Sequence, residues 1–334
     1  MTEVKTAHNR IDWIDVARGY GVILVILGHM DLGDAVTTVI YSFHMPLFFI
    51  LSGMVLSTKD GFIAFAEKKV RTLVVPYFVL GIPLLISEYV KAIYSGTFDD
   101  EVAISWLIRF LLQKRLWTLW FLAALFIMEL VFYWVSRLKN DPAILTVSAL
   151  ISLAGYLYCS RIDQPLVWNA DLAAACMIYM AIGYLARKRD LLPKTENIGK
   201  PAMTGLAATV MAGCLIFAGL SYKLTGQTLM LSYNSFGMPV CTCIAAVLGS
   251  LAIIFAAQLH YTRWAAYIGR NTWIYFAWNQ AMLLPLINFM LEQVGFAPGA
   301  YGSTGFWIHR LIEFAFVITV STLITRLFVD RRTI

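Results

Sequence analysis

Apolar residues in this chain come in long runs separated by short polar stretches, not in the two-residue or heptad alternation of a soluble fold. Ten runs, at roughly residues 16–30, 36–57, 73–90, 116–136, 143–158, 172–186, 202–222, 239–259, 273–291 and 306–328, match the need to cross a hydrocarbon layer of about 30 Å. In hydrocarbon a backbone amide finds no water, so each run must satisfy its own hydrogen bonds as a helix. The fold class expected is therefore all-α: a polytopic integral membrane protein with about ten transmembrane helices. No linker, low-complexity tract or convincing internal repeat interrupts the pattern, so residues 1–334 read as a single transmembrane domain. The longest polar interval, 91–115, carries Asp99, Asp100 and Glu101 ahead of an amphipathic stretch at 102–112, which predicts a short helix lying along the membrane surface.

Composition agrees with this class. Of 334 residues 60% are hydrophobic and 14% charged, with a mean hydropathy of +0.71; a soluble domain carries about 25% charged residues. The first run has acidic residues ahead of it, Arg18 within it and no small-x-small cleavage pattern, so it is expected to stay in the mature protein. The net charge of +6 is spread in small basic groups between apolar runs, a membrane-topology pattern and not a nucleic-acid patch. With the N-terminus inside, 19 of the 26 Lys and Arg residues, among them Lys5, Arg10, Arg331 and Arg332, fall on inner segments. Lys91, Arg109, Lys114, Arg115, Arg161, Lys223 and Arg310 remain outside. Both termini are then expected in the cytoplasm. Cys159, Cys176, Cys214, Cys241 and Cys243 lie in or beside apolar runs without metal-ligand spacing and read as free thiols, so neither a disulfide nor a metal site is expected.

Against this background the first two runs stand out, because they carry Arg18, His29, His44 and Ser52. An ionisable group at membrane depth costs roughly 2.5–3.5 kcal/mol by insertion measurements, which makes a functional site the default reading. Eleven helical steps from Arg18 to His29 turn about 1100°, about 20° past three full turns, and rise about 16 Å. The two side chains are predicted on one face of one helix. Asp15, three residues before Arg18, is placed to pair with it, and the Arg310/Glu313 spacing predicts a local ion pair. Glu129, His309 and Asp171 are further polar groups at or near membrane depth.

These residues sit in a set of motifs that resembles the membrane-bound acyltransferase family 3. The match begins with RIDWIDVARG at 10–19 and the spacing of an arginine, ten residues and a histidine formed by Arg18 and His29. It continues with FFILSG at 48–53, KKVRTLVVPY at 68–77, LWFLAALF at 119–126, IGYLARK at 182–188 and IGRNTWIY at 268–275. Within the family, SFHMPLFFILSG at 42–53 is most similar to the fucose 4-O-acetylase-like branch. The chain departs from the family pattern in two places: Lys68 and Arg71 stand where two arginines are common, and Trp278, Asn279 and Gln280 follow the IY motif where a histidine is often found.

The resemblance implies an O-acyltransferase, most simply an O-acetyltransferase, of the bacterial inner (plasma) membrane. Its donor would be cytoplasmic acetyl-CoA or another acyl-CoA, its acceptor a cell-surface or secreted glycan or a lipid-linked saccharide, and no metal is implied. Acyl transfer to a hydroxyl needs a base, and His29 suits it because an imidazole titrates near neutral pH and can return the proton to the leaving thiolate. Arg18 reads either as a cation snorkelling to the inner interface or, as the family implies, as a residue that positions the donor or the histidine. Lys68, Lys69 and Arg71 are candidates for the phosphates of the donor, and are also what positive-inside topology would put there. His44, near the outer end of the second run and two residues before Pro46, reads either as an acceptor contact or as a structural hydrogen-bond partner. Trp117 and Trp120 read either as an aromatic wall for a sugar or as interface anchors, with anchoring preferred for Trp117, while Asp171 faces the side where the acceptor would arrive. Ser52 reads as a packing residue, not a nucleophile. A transporter or flippase using Arg18, His29 and Glu129, and a non-catalytic scaffold, are the competing classes; the first predicts acceptor-independent flux, the second acylation that survives His29→Ala.

Overall fold

The computed structural model describes residues 12–162 and 164–329. The expectations for Lys5, Arg10, Arg331 and Arg332, and for the side on which the termini lie, fall outside the described residues. Those residues form helices α1 (Asp12–Gly28), α2 (Asp34–Val55), α3 (Phe62–Lys69), α4 (Val75–Tyr94), α5 (Asp100–Leu112), α6 (Trp120–Val135), α7 (Asp141–Arg161) and α8 (Ala170–Ala175). After these come α9 (Met177–Lys188), α10 (Thr195–Ile198), α11 (Lys200–Thr225), α12 (Pro239–Leu259), α13 (Arg263–Arg270), α14 (Thr272–Trp278), α15 (Leu284–Gln293) and α16 (Thr304–Phe328). A π turn at Val70–Val74 joins α3 to α4, and another at Asn279–Leu283 joins α14 to α15. The all-helical expectation holds: among the described residues the only extended pairing is one isolated bridge, Met230 to Ser235.

Seven described helices are long and apolar enough to cross a membrane, and α8 with α9 makes an eighth if that bent pair is one span. The protein is thus a polytopic integral membrane protein. The two other expected spans correspond to α1 and α6, of 17 and 16 residues, each about 25 Å long at 1.5 Å per residue. Both are largely buried within the bundle, where protein and not lipid sets the length a helix needs. Of the apolar stretch of α2, 83% is buried, against 17% for α11, which puts α2 at the centre and α11 at the lipid-facing periphery.

Backbone contact between helices fixes this centre. A Cβ on Gly19 would strike the Ala265 carbonyl and one on Gly269 the Asp15 carbonyl, so α1 and α13 touch main chain to main chain. Gly53 and Gly183 do the same for α2 and α9. Small residues of this kind let dispersion contacts hold helices together where lipid supplies no hydrophobic drive.

Three stretches depart from the span pattern. The sixth run bends by 60° between α8 and α9, where Ser152 Oγ on α7 accepts the Ile178 N–H at 2.8 Å and Gly155 admits the Ala174–Ala175 backbone. A side chain inserted into the helical ladder is a standard cause of a sharp kink. The fourth run begins its helix only at Trp120, because residues 113–119 are drawn into an irregular turn. Gln113 accepts the Leu116 N–H at 2.8 Å, Asn169 accepts the Arg115 N–H at 3.1 Å, and Thr118 donates to the Phe276 and Ala277 carbonyls, both at 3.0 Å. Gln113, Arg115 and Trp117 adopt left-handed φ of 46°, 56° and 49°. Irregular backbone at membrane depth is tolerated where it lines a cavity, as this stretch does. Finally, α1 ends at Gly28, leaving His29 in the turn beyond it. The surface helix expected at 102–112 is present as α5, capped by Asp99, which accepts the Val102 N–H at 2.7 Å.

Candidate active site

Two cavities open at opposite ends of the central helices. One, of about 580 Å³, lies at the C-terminal end of α1 and is lined by His29, Tyr41, His44, Trp117 and Trp120. The other, of about 320 Å³, lies towards the start of α1 and is lined by Arg18, Ser52, Lys68, Lys69, Glu129 and Arg270. The candidates of the first two runs therefore divide: His29 and His44 share one chamber, while Arg18 and Ser52 face the other.

In the His29 cavity the half-buried imidazole is held from two sides. Its backbone N–H reaches back to the Val25 and Ile26 carbonyls at 3.3 and 3.1 Å, and its Nδ1 lies 3.1 Å from Tyr41 Oη. When Nδ1 carries the proton and donates it to Tyr41, Nε2 is left as a lone-pair base. His44 is buried, and its Nδ1–H donates to the Ile40 carbonyl at 2.9 Å, which fixes its tautomer. Of its two expected readings, the structural hydrogen bond is present and the side chain also lines the cavity. The Tyr41 ring sits edge-on to His44 at 4.8 Å between centroids.

The irregular 113–119 turn supplies the opposite wall. Trp117 stacks on Trp106 of α5 at 6.1 Å with 6° between planes, so it lines the cavity as well as Trp120 does. Arg115 pairs with Asp171 and donates to the Leu231 carbonyl at 2.9 Å. Asp171 is fully buried behind that guanidinium and does not line the chamber.

In the Arg18 cavity, Lys69 pairs with the buried Glu129 at 2.9 Å, and Arg18 lies 3.9 Å from Asp15, the pair expected from their spacing. Lys68, Lys69 and Thr72 line this chamber but Arg71 does not; it is exposed in a surface groove beside Phe62 and Ala66. Helical spacing is the reason: at about 100° per residue Lys68, Thr72 and Lys69 share one face, and Arg71 falls about 160° from Lys69. The Arg310/Glu313 pair is present at 2.8 Å on α16, in neither cavity.

Three phenylalanines stand between the chambers. Phe48 and Phe121 line the Arg18 side and Phe276 the His29 side, with centroids 5.8 Å (Phe48–Phe121), 6.3 Å (Phe48–Phe276) and 5.6 Å (Phe121–Phe276) apart. The linings of the two chambers meet at this aromatic septum. Sequence reasoning missed Phe48, Phe121 and Phe276 in this role, along with Tyr41, Lys114 and Arg270 as lining residues. Arg270 was within reach, since it interrupts an apolar stretch inside IGRNTWIY; Tyr41 was not, because the turn between α1 and α2 breaks any register linking it to His29.

A family model described as an acyltransferase domain matches residues 11–326 of the chain. No curated protein and no solved structure matches it.

Proposed function

The chain belongs to the acyltransferase 3 family, whose domain covers residues 11–326, and from that premise we propose that it moves an acyl group, in the simplest case acetyl, from cytoplasmic acyl-CoA to a hydroxyl of a cell-surface or lipid-linked saccharide in the bacterial inner membrane. The observation that carries this reading is a pair of unlike chambers whose linings touch through Phe48, Phe121 and Phe276. Arg18, Lys68, Lys69 and Arg270 gather in one chamber, where positive-inside topology would set the cytoplasm, and suit the phosphates of the donor. The other chamber holds the His29 imidazole beside aromatic surfaces that suit a sugar.

In the proposed reaction the acceptor hydroxyl gives its proton to His29 Nε2 as its oxygen attacks the thioester carbonyl. The tetrahedral adduct then collapses, the C–S bond breaks, and the imidazolium returns the proton to the leaving thiolate. Tyr41 accepts from Nδ1 and holds the ring in the required tautomer. The extended pantetheine arm is comparable to the ~16 Å rise from Arg18 to His29, so the donor bridges both chambers once Phe48, Phe121 and Phe276 swing apart. At rest the same three rings keep water from crossing to the thioester.

Purified protein in lipid nanodiscs, supplied with radiolabelled acetyl-CoA, separates the routes: label retained on the protein without acceptor marks an acyl-histidine intermediate, and none marks direct transfer. Mass spectrometry of surface glycans from cells carrying the wild type, a deletion or His29→Ala at matched membrane levels tests the assignment itself. Loss of one acyl mass in both the deletion and His29→Ala is expected; acylation that persists in His29→Ala would overturn His29 as the base.

A further inference from the structure

We propose that the His29 cavity takes an acceptor bearing a fixed negative charge, a carboxylate or phosphate held near the hydroxyl to be acylated, and that Lys114 with Arg109 recognises it. This rests on the acyl-transfer reading and narrows its acceptor class. Outer loops are poor in cations by the positive-inside rule, and only seven of the 26 Lys and Arg residues fall there by the charge count. Four of those seven, Lys91, Arg109, Lys114 and Arg115, converge on this one cavity. All four belong to the single interval 91–115, and the fold of α5 and the 113–119 turn brings them to one chamber wall.

Two of the four are already neutralised. Lys91 pairs with Glu88 at 2.9 Å, and Arg115 with the buried Asp171. Lys114 and Arg109 have no carboxylate within 4.0 Å among the described residues. Arg109 instead lies over the Trp106 ring at 4.9 Å, which orders the guanidinium without neutralising it. Lys114 is half-buried in the 113–119 turn at the cavity wall, a partly enclosed setting of lower dielectric than open water. A cation in that state interacts more strongly with an anion than one in bulk water, and a neutral sugar gains nothing from it. The Trp106/Trp117 stack next to it supplies an aromatic surface, so a charged saccharide meets both kinds of partner in one chamber.

The charge has two sources, a uronic acid within the saccharide or the diphosphate of a lipid-linked precursor, and matched probes separate them. Calorimetry on the nanodisc-embedded protein would compare phenyl β-glucuronide with phenyl β-glucoside in one arm, and farnesyl diphosphate with farnesyl β-glucoside in the other. In at least one arm the anion should bind tighter than its neutral partner by about tenfold or more, the value of one charge-assisted hydrogen bond. That preference should fall below about threefold in Lys114→Gln, weaken with added salt, and survive in Lys114→Arg. Unchanged affinity for coenzyme A at the opposite cavity reports that the variants are folded, and it tests the donor assignment separately. Equal binding of charged and neutral probes in both arms, or a preference that Lys114→Gln leaves intact, would overturn the proposal while leaving the acyl-transfer reading standing. Absence of coenzyme A binding with an intact anion preference would do the reverse.

Discussion

The Arg115–Asp171 pair holds the wall of the His29 cavity in place, and its removal has a calculable cost. The Asp171 side chain is 0% exposed and that of Arg115 10%, so either charge regains little hydration if its partner is lost. Asp171→Asn keeps the volume and one acceptor oxygen but removes the charge, leaving the guanidinium with only neutral acceptors, that amide oxygen and the Leu231 carbonyl at 2.9 Å. Stranding one member of a buried pair costs about 3–5 kcal/mol. Arg115→Met strands the carboxylate instead, which can escape by binding a proton, so its cost should lie at the lower end of about 3–5 kcal/mol. The double variant Arg115→Met/Asp171→Leu strands neither and should return to within about 1–2 kcal/mol of the wild type. Equilibrium unfolding in mixed micelles of the wild type, Arg115→Met, Asp171→Leu and their double variant closes a double-mutant cycle that should give a coupling energy of roughly 3 kcal/mol or more. A double variant as unstable as the sum of its singles would refute the claim that these charges are held by each other. The same variant keeps Lys114 and Arg109, so its preference for anionic probes should persist.

Three further outcomes follow from the same geometry. Tyr41→Phe removes a hydrogen bond worth about 0.5–1.5 kcal/mol from His29 Nδ1, so steady-state kinetics should show kcat reduced roughly 2- to 12-fold with KM for the donor unchanged; a donor KM effect alone would contradict the orienting role. Phe121→Ala opens the septum, and acceptor-independent release of coenzyme A, followed with a thiol reagent, should rise above the wild-type rate as water reaches the thioester. Gly269→Ala forces a methyl group against the Asp15 carbonyl where α1 meets α13 and should destabilise by about 1–3 kcal/mol, seen as a lower thermal midpoint in detergent, whereas the exposed Gly205 with open space around it should accept alanine without loss.

Much of the helical layout was legible because lipid imposes a local rule. The runs at 239–259 and 306–328 coincide, within two residues, with α12 and α16, since each is a long apolar stretch that closes its own hydrogen bonds whatever surrounds it. Prediction weakened where side chains from elsewhere compete for the backbone. Asn169, 54 residues away, takes the Arg115 N–H and helps delay α6 to Trp120, and Ser152 takes the Ile178 N–H and bends the sixth run. Neither event leaves a trace in the local pattern of apolar and polar positions.

Hydropathy, charge bias and motif spacing, all properties of neighbours along the chain, were enough to establish a polytopic membrane protein with His29 and Arg18 as residues of interest. They could not tell that these two would face separate chambers, that Phe48, Phe121 and Phe276 would meet between them, or that Lys114 and Arg109 would converge opposite His29. Those outcomes depend on which helix faces touch, and that is fixed by backbone-to-backbone contacts at Gly19, Gly53, Gly183 and Gly269 and by hydrogen bonds spanning many residues of sequence. Long-range packing of this kind has no period to read, because its partners are brought together only when the bundle closes.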